Sequence, residues 1–454
     1  MNARPRDRLV AWLAATLVIS FALTAAVFLA ITVAKGMTAQ TLRRAVGSTA
    51  PFQILRLAEI SGADSWTPMI TAYQRKIQDP GSDLYAVFFV DRVKFQYPPS
   101  SLLIFDLVPR SMLNLTDVTQ LVGPLKRLLD MLSQFAAVVT IVASVLILEL
   151  GIRRLPSDQP VRPVRVLASV GLSLALGLTF YPLLFAHDLG QIQVFLNALL
   201  ALAVLFFMIE RPALAGICFG VCCLVKPQYG LVLLWAVLRR QWRFTLGLVG
   251  VLVPGLAISI ARFGLADHLR YIDVVRELSR VGETLWFNQS VNGLLNRLLG
   301  NGSPVRMPSA YPPYHPVVYA LTTISSVAIL ALALRPRRDA ARNGGLIDLV
   351  ITLVAITMAS PIAWIHHYGA FLAVFAAVLP ALLFARPLGP ATVPVFAFSY
   401  VAMANLLVWP EVIFRNRWLG VTGSHLFFGS LTLFGLLLTL RGPGSGAQGS
   451  GRNR

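Results

Sequence analysis

Apolar runs near residues 9–35, 132–152, 163–184, 190–209, 212–225, 228–238, 244–262, 316–334, 346–360, 367–385, 391–409 and 423–440 divide the chain, with polar connections between them. A backbone inside lipid finds no water to bond, so a run that crosses must close its hydrogen bonds within a helix. Crossing roughly 30 Å of hydrocarbon takes about 20 residues, and the pattern therefore predicts an all-α polytopic membrane protein of about 12 transmembrane helices. The runs 212–225 and 228–238 are too short to cross alone. With Lys226-Pro227 between them, they read as half-helices meeting at a break. The first run follows an arginine-rich start but is longer than the apolar region of a signal peptide, and it reads as an uncleaved span.

Two long stretches, residues 36–131 and 263–315, interrupt the pattern, and neither is apolar enough for another ordinary span. Within the first, residues 119–130 are amphipathic around Pro124 and predict a short helix lying on the membrane surface or packed on the bundle. No soluble catalytic domain or tandem repeat is visible, so residues 1–440 read as one membrane domain with two long loops on one face.

Composition agrees with the pattern: 56% of residues are apolar, 13% are charged, and mean hydropathy is +0.70. A net charge of +19 raises the question of nucleic acid. The basic residues, however, form no separate patch interleaved with aromatics. They punctuate the apolar runs, as at Arg4, Arg6 and Arg8, at Arg153 and Arg154, at Arg239, Arg240 and Arg243, and at Arg335, Arg337 and Arg338. Arginine in short connections marks the cytoplasmic side, which excludes a nucleic-acid partner and predicts cytoplasmic N- and C-termini. The Gly/Ser-rich residues 441–454 then form a disordered cytoplasmic tail, and the two long loops face outward. All three cysteines, Cys218, Cys222 and Cys223, sit in one apolar run as packing residues.

The chain has no phosphate-binding P-loop, no dinucleotide fingerprint, no HExxH helix and no CxxC pair, which argues against ATP hydrolysis and nicotinamide chemistry. What remains is a set of polar residues at the outer ends of the runs. Asp64, in Ser-Gly-Ala-Asp-Ser-Trp, has small neighbours that leave room around its carboxylate, which is either functional or merely solvated; Asp83 and Asp91 are the next carboxylates of that loop. Tyr97 precedes Pro98-Pro99, a pair that also suits the start of a helix. His187, Asp188 and Gln191 surround Gly190 in a turn between two runs. Lys226, at the helix break, either snorkels to the interface or pairs with an anion. Asn288 and Arg297 suit sugar hydroxyls or phosphate, and equally ordinary loop bonding. In Ser360-Pro361-Ile362-Ala363-Trp364-Ile365-His366-His367-Tyr368, adjacent imidazoles suit an anionic ligand better than a shared metal, because neighbours on a helix point about 100° apart. Trp66, Trp286 and Trp364 are candidates to stack on sugar faces.

In order along the chain, Asp64, Phe95 with Tyr97-Pro98-Pro99, Gly190-Gln191, Ala215-Gly216 with Lys226-Pro227, Asn288-Gln289-Ser290 with Arg297, and Ser360-Pro361 with Trp364 and His366-His367-Tyr368 resemble glycosyltransferase family 87 of the GT-C superfamily. Gln193 departs from that pattern, which has asparagine after Gly-Gln. The resemblance implies a GT-C-type bundle in a bacterial cell membrane, with long outer loops carrying short amphipathic helices around a cavity. It further implies inverting, metal-independent transfer of a sugar, with mannose expected, from a polyprenyl-phosphate donor to a glycolipid or glycan acceptor, needing no cofactor. Asp64 matches the family's catalytic base. Tyr97, Gln191, Lys226, Asn288, Arg297, Trp364, His366 and His367 are the expected substrate contacts. A transporter or flippase would also need many spans and a polar cavity. It expects charges near the midplane of several helices and often paired halves, and the sequence has neither.

Overall fold

The structure, a computed structural model, describes residues 5–35, 56–58, 61–113, 123–155, 163–305, 311–335, 345–384, 392–407 and 416–441. Residues 442–454 of the expected tail 441–454 and residues 119–122 of the expected amphipathic stretch lie outside these, while Arg441, the tail's first residue, is buried in the bundle. The described residues are helical throughout the apolar runs, and the one backbone bridge between extended segments joins Asn288 to Trp364.

The principal helices are α1 (Pro5–Lys35), α2 (Trp66–Gln78), α3 (Pro124–Arg153), α4 (Pro163–Leu178), α5 (Tyr181–Asp188), α6 (Gln193–Met208), α7 (Pro212–Val225), α8 (Val232–Leu238), α9 (Trp242–Phe263), α10 (Leu265–Val281), α11 (Val291–Leu299), α12 (Pro316–Leu334), α13 (Leu346–Met358), α14 (Phe371–Phe384), α15 (Thr392–Ala404) and α16 (His425–Leu440). Prolines 124, 212 and 316 each open a helix, where a missing N–H costs nothing. Between their basic ends, the exposed side chains along α1, α9 and α12 are mostly apolar, including Val18, Leu246 and Ile324. A helix that is apolar even on its outward face belongs in lipid, so the chain is an all-α polytopic membrane protein.

Every apolar run carries helix, but the count of full crossings differs from expectation. By length and apolarity, 6 helices of the described residues can cross a bilayer, and α4 with α5, bent by 47° at their junction, makes up to 7. Gln193–Met208, Pro212–Val225, Pro227–Leu238, Leu346–Met358 and Thr392–Ala404 are shorter. The shortening has a physical cause in three of them. Gln191 precedes α6, Lys226 follows α7, and Ala359 with Ser360 follows α13, and all four residues line one cavity. Irregular backbone at membrane depth is tolerated where it is enclosed by protein or faces such a cavity.

A second difference concerns the stretch at 119–130. Its described part is no separate surface helix, because α3 runs unbroken for 30 residues and 124–130 is its overhang. Lys126 and Asp130 there are buried, ion-paired, and both hydrogen-bonded to Ser61 Oγ, so the overhang anchors the first long loop.

Two apolar cores result. One fills the bundle; the other lies within the long loops and gathers Trp66, Tyr73, Tyr85, Phe95, Tyr97 and Phe105 around α2. Within the bundle, α7 and α9 approach closely, since a Cβ on Gly216 would lie 2.0 Å from the carbonyl oxygen of Phe244. Basic helix ends are tied by buried carboxylates: Arg6 to Glu149 (2.8 Å), and Arg239 (2.8 Å) and Arg441 (2.7 Å) to Asp348.

Candidate functional site

The carboxylate of Asp64 is held by a segment, residues 61–65, laid against the turn that ends α5. Gly62 N–H donates to Asp188 O (2.7 Å), Asp64 N–H to Leu189 O (3.0 Å) and Ser65 N–H to Gly190 O (3.3 Å). This contact needs glycine on the turn: Gly190 has φ +65°, and a Cβ there would sit 2.0 Å from Gly62 O. Ser65 Oγ then accepts from Ile192 N–H (3.0 Å), donates to Gln191 Oε1 (2.7 Å), and lies 2.8 Å from the Tyr97 hydroxyl. With its oxygen committed to Ser65, the Gln191 amide turns its Nε2 to donate to Asp64 Oδ2. Tyr97 is positioned in turn by Tyr85, whose hydroxyl donates to Tyr97 O (2.7 Å) and whose ring stacks on Phe95.

The opposite wall comes from two chain breaks. After α7, Lys226 is extended (φ −136°, ψ 95°) and Pro227 starts a new turn. Its Nζ is in hydrogen-bond contact with Nε2 of His367. After α13 the chain runs irregularly to a tight turn, Ile365–Ala370, that carries His366 and His367 with ring centroids 4.6 Å apart. Trp364 N–H donates to His367 Nδ1 (3.1 Å), while His366 Nδ1 is buried with no hydrogen-bond partner.

These walls enclose a cavity of about 320 Å³. Asp64, Lys94, Tyr97 and Gln191 line one end and Lys226, Trp364, His366 and His367 the facing side. Val225, Leu231, Val275, Leu278, Leu330 and Ile356 supply an apolar part of the lining, and Gln96, Gln228, Tyr271, Ser279 and Ser360 add further polar groups. Asp64 is exposed where it opens onto the cavity, with protein packed around its carboxyl group. Burial raises its carboxyl above the usual carboxylate range, against the opposing pull of the Gln191 hydrogen bond and of the Lys94 and Lys226 charges. A carboxylate so placed is a stronger base than one in water, while cations stand within the same cavity.

The model of glycosyltransferase family 87 matches residues 95–361, more than half of the chain. The chain belongs to that family. It is therefore a membrane glycosyltransferase. No curated protein matches it. The family 87 match contains Tyr97, Gln191 and Lys226, whereas Asp64, Trp364, His366 and His367 lie outside its bounds and reach the same cavity through the fold.

Two expected contacts of this family 87 member stand elsewhere. Asn288 is buried and donates to Glu283 O (2.9 Å) and Pro361 O (3.1 Å), while its Oδ1 accepts from Ala363 N–H (3.0 Å). Arg297 donates to the carbonyls of Thr284, Leu285 and Asn288 and to Ser424 Oγ. Neither lines the cavity. Asn288 and Gln289, whose backbone N–H bonds Ala363 O (2.8 Å), lace the second long loop to the histidine segment, while Arg297 ties that loop to itself and to Ser424. Trp66 is buried against Phe195, and neither it nor Trp286 is on the cavity wall. His187 bonds Ser133 Oγ (2.8 Å) inside the bundle. Asp83 and Asp91 are held by Arg270 (3.5 Å) and Arg75 (2.6 Å), away from the cavity.

Sequence reasoning missed Ser65, Lys94, Gln96, Gln228, Tyr271 and Ser279, the first of which orients Gln191 and the rest of which line the cavity. Ser65 and Lys94 adjoin motifs already singled out, and adjacency was the available signal. Tyr271 and Ser279 sit on α10 among ordinary helix residues and carried none.

Proposed function

We infer that this transferase moves a mannosyl unit from a polyprenyl-phosphate donor to a glycolipid or glycan acceptor, with inversion, on the outer face of a bacterial cell membrane. The observation that supports this best is one cavity joining a carboxylate, two lysines and two histidines to a long apolar wall. A lipid phosphate sugar has the same two halves. Its chain fits between Leu231, Leu330 and Ile356, and its phosphate meets Lys226 with His366 and His367.

The acceptor hydroxyl oxygen attacks the anomeric carbon, and the bond from that carbon to the phosphate oxygen breaks with its electron pair passing to phosphate. The hydroxyl proton goes to Asp64. A sugar hydroxyl is a weak nucleophile, so a positioned base is needed as attack proceeds. Fixed cations stabilise the charge that grows on the leaving phosphate. Attack from the face opposite the phosphate accounts for inversion. Cytoplasmic termini and an outward cavity follow from the basic connections.

The test uses the purified protein in nanodiscs with labelled polyprenyl-phosphate mannose and lipid extract from cells lacking the chain. Label should appear in a new glycolipid, and labelled nucleotide-mannose should give none. Transfer from the nucleotide sugar alone would refute the donor assignment. A transporter or flippase reading has no observation in its favour here.

A further inference from the structure

A second cavity, of about 450 Å³, adjoins the first and shares Lys94 with it. Its walls come only from the outer segments 88–94, 277–281 and 311–314, with no residue from a membrane span. On α10 the two linings interleave: Leu278 and Ser279 face the first cavity, Glu277 and Arg280 the second. Three cations, Arg92, Lys94 and Arg280, line it against one carboxylate, Glu277. Aromatic rings supply flat faces: Lys94 Nζ stands 4.9 Å from the Tyr311 centroid and Arg280 4.7 Å from that of Tyr314.

The junction of the cavities is polar and incompletely bonded. Lys94 Nζ, the Tyr311 hydroxyl and Glu283 Oε1 are buried without a hydrogen-bond partner, and Lys94 meets Glu283 only as a loose ion pair at 3.7 Å. Buried polar atoms left unpaired are costly, and a bound hydroxyl-rich ligand that reaches the junction offers them partners. Because its side chain contacts both cavities, Lys94 marks where a ligand in the outer one reaches Asp64.

We propose that the outer cavity binds the headgroup of the acceptor, a glycan bearing an anionic group, and presents one of its hydroxyls past Lys94 to Asp64. This rests on the sugar-transfer reading above. The lining suits a headgroup and not a lipid chain: aromatic faces pack on sugar rings, and arginine forks bind phosphate or carboxylate. Phe88, Phe89, Val93 and Val281 also line it, but beside the three cations rather than as a continuous apolar groove between membrane spans.

Two measurements test it. Pro313 is exposed on the wall of this cavity, and the native cysteines are buried, so Pro313→Cys offers a single maleimide-reactive thiol. Lipid extract from cells lacking the chain should slow its alkylation at least about threefold, and polyprenyl phosphate alone should not. Equal slowing by polyprenyl phosphate, or none by the extract, would overturn the proposal. In the transfer assay, Arg280→Ser and Tyr314→Ala should raise the half-saturating extract concentration about tenfold and leave that of the donor within twofold. A rise in both, or in the donor alone, would equally overturn it. Protection of the thiol without sugar transfer by the wild type would refute the transfer reading alone and leave the binding assignment standing.

Discussion

Replacing Asp64 by asparagine removes the proposed base with little change of shape. The side chain opens onto the cavity and makes one side-chain hydrogen bond, from Gln191 Nε2, which the asparagine Oδ1 can still accept. The backbone bond from residue 64 to Leu189 O is untouched. Folding should therefore be normal and the loss confined to chemistry. General-base assistance contributes about 10²- to 10⁴-fold, or about 2.7–5.4 kcal/mol at 1.36 kcal/mol per tenfold. Initial rates of transfer from labelled polyprenyl-phosphate mannose should fall by that factor at equal amounts of inserted protein. The pH dependence supplies an internal check. Burial raises the Asp64 carboxyl from its ordinary value of 3.8, and only the ionised form accepts a proton. Wild-type transfer should then be full at high pH and be lost as pH falls through the raised value, and Asp64→Asn should lack that acid limb. An asparagine variant that keeps more than about a tenth of the wild-type rate, below the lowest loss expected of a removed base, would refute the assignment.

Three further outcomes follow from the packing. Gly190→Ala forces a Cβ to within 2.0 Å of Gly62 O at φ +65°, so it should displace Asp64 and lower both transfer and the melting temperature; Gly230→Ala, where the nearest atom is 3.9 Å away, should change neither. Arg297→Met strips donors from buried carbonyls and should cost at least about 3 kcal/mol, read as loss of folded protein in a thermal melt, with the donor half-saturation of the surviving protein unchanged. His366→Ala removes ring packing on Trp364 and His367 but no hydrogen bond made by Nδ1, so it should lower the melt less than Arg297→Met does and raise the half-saturating donor concentration about tenfold or more, the loss expected for one hydrogen bond to a charged phosphate. An unchanged donor requirement would remove His366 from the phosphate wall.

The helical fold was legible because lipid leaves the backbone one solution, so apolar runs translate directly into helices. Their lengths were not equally legible. The sequence treats 190–209 and 346–360 as spans like any other and marks only 212–225, by its length and Lys226-Pro227, as a half-helix, whereas α6, α7 and α13 all start or stop at the cavity. Nothing in the composition of a run records whether its end meets lipid or a polar pocket. The overhang at 124–130 misled for a related reason. Its amphipathic residues suggest a membrane surface, but Lys126 and Asp130 face the loop that carries Asp64.

The same distinction separates the site residues that reach the cavity from those that do not. Asp64, Tyr97, Gln191, Lys226 and the His366-His367 pair all lie where a helix ends and line the cavity, Tyr97 and Gln191 spending their side-chain bonds on Ser65 and Asp64 and so holding the carboxylate in place. Asn288 and Arg297 look just as polar in sequence, yet their donors bond backbone carbonyls of residues 283–288 and 361. Residue type identifies a group able to bind a sugar or a phosphate; only its local hydrogen-bond inventory says whether the group is still available to do so. Lys94 is the reverse case. It has no motif of its own, but its ammonium group is left without a hydrogen bond beside Asp64 at the junction of two cavities. A buried cation that the protein leaves so poorly paired is a better guide to where substrate goes than a well-bonded arginine in a matching motif.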